Sequence, residues 1–462
     1  MPSGNGFRVN GDFNSGFGGQ VNMTRQLHFN LFVSSRGHHE ASWRHPDASQ
    51  RALTDIRYYQ EVAQRAEGGL FDSIFLGDHL AIRDDADPIA RAWLEPITAL
   101  AALAVSTSRI GLIATASTTY TEPFNLARQF ASLDHISNGR VGWNIVTSWS
   151  APAARNYGDA GQVTHAERYA RAAEFMQVAK SLWDSWADDA IVDNRESGRY
   201  ALGERVRAVD HAGQYYNVHG PLVIPRSPQG WPVLVQAGSS DTGRRFAARH
   251  AEAVFTAQME KSEAQAFYHD LKSLIKAQGR VEDQVLILPG LSPVIGSSEA
   301  EAKRLAQELT DLSDPEISRG RLSGRFGGVD LSHLPLDKPL SPEDFPDPST
   351  VEAARSRAEI ILGVVRREKP TLRQLLAKLA AAQGHFTIAG TPEQIADLIE
   401  DWFTDGVADG INLMPAVVPK ILDIFIDEVI PLLQKRGLFR TAYEGDTLRA
   451  NYGLERPPDN FK

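Results

Sequence analysis

The chain has 462 residues, 42% of them hydrophobic and 23% charged, and it contains no cysteine. That absence excludes disulfides, thiolate zinc sites, cysteine nucleophiles and iron–sulfur clusters, and a formal net charge of −10 opposes contact with phosphate backbones, so nucleic acid is not expected as a partner. No apolar run reaches the roughly 18 residues that a bilayer span needs, and the Gly- and Asn-rich start, Met1–Gln20, lacks the apolar stretch of a secretory signal; the expectation is a cytoplasmic protein with no membrane association, in which residues 1–26 form a flexible arm.

Short β-rich runs then alternate with longer helical ones. Leu27–Val33 reads as a strand, followed by a helix over Ala52–Glu67 with Ile56, Tyr59, Val62 and Ala63 on one face. Phe71–Asp78 is a short buried strand and Pro96–Val105 an alanine-rich helix. Arg109–Ser117 is apolar along almost its whole length, as a strand covered on both faces should be. A helix over Phe124–Ile136 stops at Asn138-Gly139, the strand Arg140–Ser148 follows, and His165–Trp186 is a long helix. Residues 190–230 break the alternation with β-like pieces and Pro221, Pro225 and Pro228, which marks an insertion. The alternation resumes with strand Pro232–Gly238, helix Asp241–His250, strand Ala253–Gln258, helix Ser262–Gln278, strand Val285–Gly296 and a helix from Glu299. A second insertion, 313–370, is rich in Gly, Pro, Asp and Arg and is expected to be a mobile lid. The closing units are the helix Thr391–Phe403, with Thr391 as N-cap and Pro392 at the first position, the strand Gly410–Ala416 and the helix Lys420–Gln434.

Eight strands separated by helices imply parallel pairing and right-handed crossovers. The expected fold is α/β, a (β/α)8 TIM barrel with insertions at about 190–230 and 313–370, forming one domain over 27–437 with a C-terminal extension over 438–462. An open doubly wound sheet is the competing architecture, but no glycine-rich phosphate fingerprint stands at a strand–helix junction.

Barrel chemistry sits where strands end. Strand two ends in Asp78 and His79, strand three carries Thr115 and Ser117, strand four Asn144 and Thr147, and strand five runs into Gly238, Ser239, Ser240 and Asp241. Each also has a structural reading, Asp78 as a loop cap and Thr115 or Asn144 as partners of stray backbone groups. Together they crowd one rim. The segment Gly238–Gly243 puts two hydroxyls before a helix start, a natural anion seat, although one serine is also an ordinary N-cap. His165 and Tyr169 share a helix face at i, i+4. After strand one, His38–His45 (HHEASWRH) brings three histidines and Trp43 to the mouth, or forms a polar loop anchored by Trp43.

Several stretches, in order, resemble the bacterial-luciferase-like flavin monooxygenases: Trp43–Ser49, Phe71–Asp78, Ser132–Ser148 (SLDHISNGRVGWNIVTS), Ala154–Gly158, His165–Phe175, Gly220–Gly230 and Pro232–Ser240. They are similar to the branch containing nitrilotriacetate, EDTA, dibenzothiophene-sulfone and long-chain alkane monooxygenases. The resemblance implies FMN in the mouth, with Asp78, Thr115, His165, Tyr169 and Ser239 at flavin-binding positions, Asn144 beside the ring and Ser240 as a second phosphate contact; Ser117 is the alternative to Thr115. It also implies the oxygenase component of a two-component monooxygenase. Reduced FMN then comes from a separate NAD(P)H:flavin reductase, and one atom of O2 passes to a small organic substrate through a flavin peroxide. No metal is expected, and relatives suggest a homo-oligomer, dimer or tetramer. His38 and His45 are the catalytic candidates, for substrate orientation or proton transfer, and Arg319, Arg321 and Arg325 in the second insertion are placed to meet an anionic substrate or to be solvated. Three readings stay open beside this one: a metal-dependent barrel hydrolase, for which the H-x-H spacing after strand one is lacking, a non-catalytic flavin-binding relative, and a deazaflavin-using barrel.

Overall fold

The computed structural model describes residues 25–82, 94–148, 151–158, 164–348 and 355–461; most of the expected N-terminal arm and part of the second insertion (349–354) lie outside them. Eight parallel strands close into a barrel: β1 (His28–Val33), β2 (Ser73–Leu76), β3 (Gly111–Ser117), β4 (Val141–Val146), β5 (Val233–Gln236), β6 (Ala253–Thr256), β7 (Leu286–Ile295) and β8 (Gly410–Leu413). Neighbours pair in chain order, β8 pairs with β1 and β7, and β7 pairs with β6. Each of the eight expected strands is present. Every residue of β3 is buried, because helices cover its outer face and side chains fill the lumen. That filling is largely aromatic and branched: Phe75, Ile113, Val235, Phe255 and Leu288, with Phe32 packed against them.

Local signals set the element ends. Asp55, Thr164, Ser240, Asp314 and Thr391 each cap a helix by accepting a backbone N–H. The helix Pro123–Ile136 ends as expected at Asn138 (φ 56°) and Gly139 (φ 86°), whose N–H returns to the Asp134 carbonyl at 2.8 Å. Among the described residues no helix is long and apolar enough to cross a membrane.

The first insertion holds two antiparallel hairpins, Ile191–Asn194 with Arg199–Ala201 and His211–Ala212 with Asn217–Val218. The second differs from the expected structureless lid. Helices Pro315–Arg325, Arg355–Glu368 and Leu372–Ala382 enclose an apolar cluster that includes Leu322, Phe326, Phe345, Ile361, Leu362 and Leu375. Glycine and proline obscured these helices in the sequence, where Pro315 is in fact a first-turn proline behind the Asp314 cap. One strand was not expected: Phe386–Gly390 pairs with the outer half of β7, Leu291–Ile295, which runs past the barrel's edge.

The C-terminal residues close the barrel's lower end. Leu448, Tyr452 and Leu454 join the lumen cluster. Room for them comes from Gly111 and Gly142, where an added Cβ would lie 2.5 and 3.3 Å from Leu448 methyls. The Tyr452 hydroxyl donates to Asn30 Oδ1 at 2.6 Å, while buried Asp72 is held by His28 and Arg440. A Leu448→Ala variant is therefore expected to lose about 2–4 kcal/mol, the usual cost of a core leucine. Urea unfolding checks this, and a midpoint equal to the parent's would show that the segment is not part of the core.

Candidate functional site

The strand ends bring most of the sequence-identified residues to one mouth. Thr115 on β3 and Asn144 on β4 are register partners, both buried, and Asn144 Nδ2 donates to Thr115 Oγ1 at 2.9 Å. Asn144 Oδ1 has no hydrogen-bond partner. A buried carbonyl oxygen left without a donor costs on the order of 1–3 kcal/mol, so the site holds an acceptor suited to a ligand N–H. Ser117, one pleat further, is already used: its Oγ accepts from Ser148 Oγ at 2.8 Å and from the Thr119 amide at 3.1 Å. Both hydroxyl oxygens thus accept hydrogen bonds, Thr115 from Asn144 and Ser117 from two donors.

The anion seat lies at the end of β5. Ser240 caps the helix Asp241–His250 by accepting the Gly243 N–H at 3.1 Å, and Gly238 donates to the side chain of its own strand's Gln236 at 2.8 Å. A Cβ at 238 would be crowded, displacing the Gln236 side-chain amide and standing 3.1 Å from the Tyr169 hydroxyl and 3.2 Å from Gly243. The result is a cradle of small groups at a helix N-terminus, half-open to solvent at Ser239 and Ser240. Tyr169 reaches it from the helix His165–Trp183. Burial pushes its phenol pKa up, partly offset by the neighbouring hydroxyls of Thr147 and Ser240. His165, at the exposed start of that helix, packs on Tyr169 with ring centroids 4.9 Å apart.

Asp78 lies two residues past β2, half-buried, with its carboxylate accepting the His79 N–H at 2.8 Å. Burial raises its pKa, and Glu95 adds to the rise.

The histidine loop divides. His38 is buried with neither ring nitrogen partnered, and it packs against Phe32 at 4.8 Å. Burial lowers its pKa to about 3, so its imidazole is neutral. His45 is buried as well, but its Nδ1 accepts the Asp47 N–H at 3.2 Å. His39 Nδ1 accepts the Ala41 N–H at 3.2 Å. Its pKa falls to about 4, chiefly through burial, with Arg321 and His45 contributing. The helix Pro315–Arg325 clasps this loop: Arg321 pairs with Glu40 at 2.7 Å, and Ser318 donates to the same carboxylate. Arg321 is thereby engaged by the protein itself. Arg319 lies beside Glu316 at 3.4 Å.

Sequence reasoning missed His385 and Arg357. His385 precedes the unexpected strand and stacks flat on Phe255, with centroids 4.9 Å apart and an interplanar angle of 3°. Its Nε2 meets Arg357 Nη2 at 3.0 Å while Nδ1 is unpartnered. Burial, then Arg357 and His38, hold its pKa well below the usual value. Phe32, Phe75 and Phe255 form the floor beneath these rings, Phe32 stacking on Phe75 at 4.6 Å and meeting Phe255 edge-on at 5.4 Å. A histidine just before a β-branched run was the available signal, and it falls between the second insertion and the helix Thr391–Phe403, where no strand was expected.

Among the described residues no group of three or more His, Asp or Glu side chains gathers with metal-binding geometry. The mouth instead combines an aromatic floor, a buried amide acceptor and an anion cradle on the β4–β5 side, with neutral imidazoles near β1 and β7. Such an arrangement can hold a planar heteroaromatic ring carrying an anionic tail, with a second small molecule beside it.

A family model described as luciferase-like monooxygenase matches residues 32–409. The chain is 44% identical over 437 residues to N-acetyl-S-(2-succino)cysteine monooxygenase of Bacillus subtilis (strain 168), covering 95% of this chain and 98% of that one. It is also 44% identical over 452 residues to nitrilotriacetate monooxygenase component A of Aminobacter aminovorans, covering 95% and 99%. Among solved structures, riboflavin lyase with modified FMN and riboflavin superposes with a TM-score of 0.82 at 32% identity, covering 94% of this chain and 97% of that one.

Proposed function

The chain belongs to the luciferase-like monooxygenase family, and we propose that its barrel mouth binds reduced FMN and O2 to insert one oxygen atom into a small organic substrate. It is the oxygenase component of a two-component flavin-dependent monooxygenase, like the relative named component A. A separate NAD(P)H:flavin reductase supplies the reduced cofactor.

The observation that carries the FMN reading is the pairing of two unlike features across adjacent strands. One is the unsatisfied Asn144 Oδ1 on β4; the other is the Gly238–Ser240 cradle after β5. A flavin has ring N–H groups for the first and a phosphate for the second. Ser239, Ser240 and the first-turn amides would hold the phosphate, with Tyr169 and His165 alongside. Thr115, Asn144 and Asp78 would face the ring system. When bound, the reduced flavin supplies the activation of O2 that no side chain can provide. The chain's own residues bind, orient and exclude water. His38 and His385, neutral and buried, can donate or accept a hydrogen bond at substrate without introducing charge. His45, with Nδ1 engaged, has Nε2 left for the same task. The helix Pro315–Arg325, fixed to Glu40, roofs the histidine loop.

The test is a titration of the purified protein with FMN in oxidised and reduced forms, followed by flavin fluorescence, then oxygen uptake with an added reductase and a substrate panel. Saturable binding with substrate-dependent oxygen uptake is expected. No binding in either redox state would refute the assignment.

A further inference from the structure

The turn after the helix Leu372–Ala382 is gathered around one guanidinium. Gln383 (φ 54°) and Gly384 (φ 92°) both adopt left-handed backbone, and Arg357 Nη1 donates to their carbonyls at 3.2 and 3.4 Å. Nη2 of the same side chain donates to Nε2 of the next residue, His385, at 3.0 Å.

This contact fixes where the ring proton sits. An arginine side chain has N–H donors and no acceptor. Burial, then Arg325, lowers the Arg357 pKa to about 9, which leaves it cationic at neutral pH. The histidine nitrogen facing it must therefore bring a lone pair. A neutral imidazole carries a single N–H, so with Nε2 as acceptor that proton is on Nδ1. Ionising the ring would place a hydrogen on Nε2, pointing at a cation, and the same contact opposes it. Burial, then Arg357, His38 and Arg325, lowers the His385 pKa; the Thr256 backbone pulls the other way and is the weakest of these influences.

The ring is also fixed in orientation. It lies flat on Phe255 at 4.9 Å, and its Nδ1 edge rests over Gly290 of β7, where an added Cβ would be 2.3 Å from Nδ1 and 2.7 Å from Met414 Sδ. Phe255 and Met414 belong to the lumen cluster, and Nδ1 has no hydrogen-bond partner. The histidines of the loop after β1 are set differently. Nδ1 of His39 and of His45 accepts a backbone N–H, each at 3.2 Å, which leaves the proton of the neutral ring on Nε2. His38 has no partner at either nitrogen, so packing does not choose its tautomer.

We infer that Arg357 is a positioning residue that holds His385 in the Nδ1–H form, so that His385 serves the lumen as a hydrogen-bond donor and not as a base. Its bearing on the reaction rests on the mouth being the active site; the tautomer itself does not.

The test labels histidine with 15N in the full-length protein and reads the ring nitrogens by long-range proton–nitrogen correlation near neutral pH, the His385 pattern being assigned by its loss in His385→Asn. The parent should show a protonated Nδ1 and a bare Nε2 at His385, the reverse of His39 and His45. Arg357→Met removes a hydrogen bond from a charged donor and should lower the ratio of Nδ1–H to Nε2–H forms by about tenfold or more. Arg357→Lys keeps a cationic donor and should restore part of that ratio, which a loss of packing alone would not do. A protonated Nε2 in the neutral ring of the parent overturns the inference, as does an unchanged ratio in folded Arg357→Met, or a lysine variant no different from the methionine one. If Arg357→Met does not fold, the parent decides alone: Nε2 of His385 should stay bare as pH falls from about 8 to about 6, where an ordinary histidine takes up its proton, and a proton arriving there overturns the inference. Saturating FMN should then move the Nδ1–H signal. FMN that binds without moving it overturns the lumen-facing role, whereas FMN that fails to bind refutes the cofactor assignment and leaves the tautomer to be judged by the variants.

Discussion

Stability of the folded protein is expected to fall steeply as pH drops below 6.5, with three buried histidines of the mouth together contributing about 4 kcal/mol per pH unit to the loss. His38, His39 and His385 are each at most 4% exposed. Their folded-state pKa values lie at about 3, at about 4 and well below the usual value. In the unfolded chain a histidine takes up its proton near pH 6.5. Above that pH all three are neutral in both states and add no slope. Below it the unfolded chain binds protons that the folded one refuses, so stability is lost as pH falls. Each group contributes about 1.4 kcal/mol per pH unit, and the loss ends for each only at its folded pKa. Urea midpoints at descending pH measure the effect. His38→Asn should remove about one third of the share that these three rings contribute. A midpoint that does not change between pH 6.5 and 5 would mean that these rings are ionised in the folded state, and that the neutral role proposed for them is wrong.

Gly238→Val is expected to weaken FMN binding by about 100-fold, roughly 2.7 kcal/mol, while leaving the barrel folded. The reason is local. Hydrogen in place of a side chain lets the backbone after β5 approach both the Tyr169 hydroxyl and Gly243, and a Cβ would stand 3.1–3.2 Å from them. Valine would push Tyr169 and the Ser240-capped first turn apart, filling the space a phosphate would use. Fluorescence titration with FMN reads the affinity, and circular dichroism with thermal melting reads the fold. Parent-like affinity in a folded variant would show that the phosphate is held elsewhere. As a contrast, Ser117→Ala should leave FMN affinity close to the parent's, since that hydroxyl is occupied by Ser148 and Thr119.

The anion cradle was legible from sequence because its parts are neighbours: a glycine ending a strand, two serines and a helix start within six residues. The Thr115–Asn144 pair was legible for a related reason, since parallel strands of similar apolar length place their last polar residues at the same height, and register then makes the two direct partners. Period and punctuation also marked all eight barrel strands. The second insertion was misjudged as a structureless lid because composition outweighed pattern. Its helices are short, spaced by Gly and Pro, and stabilised by an apolar cluster of their own that no single helix displays. The strand Phe386–Gly390 was missed because it is only partly buried and pairs outside the closed ring.

What the sequence alone determined was the repeating βα unit, its number, and the rim at which polar strand ends gather, since these follow from hydrophobic period, capping residues and the polarity of strand ends. What only the tertiary structure decided was which distant segments share that space. Arg357, from within the second insertion, meets His385, from just after it, His38 is stripped of partners by packing, and the C-terminal Leu448 and Tyr452 fill the lower lumen. Local pattern encodes how a segment folds and which face it buries, whereas the pairing of segments hundreds of residues apart depends on how the buried faces fit together once the barrel has closed.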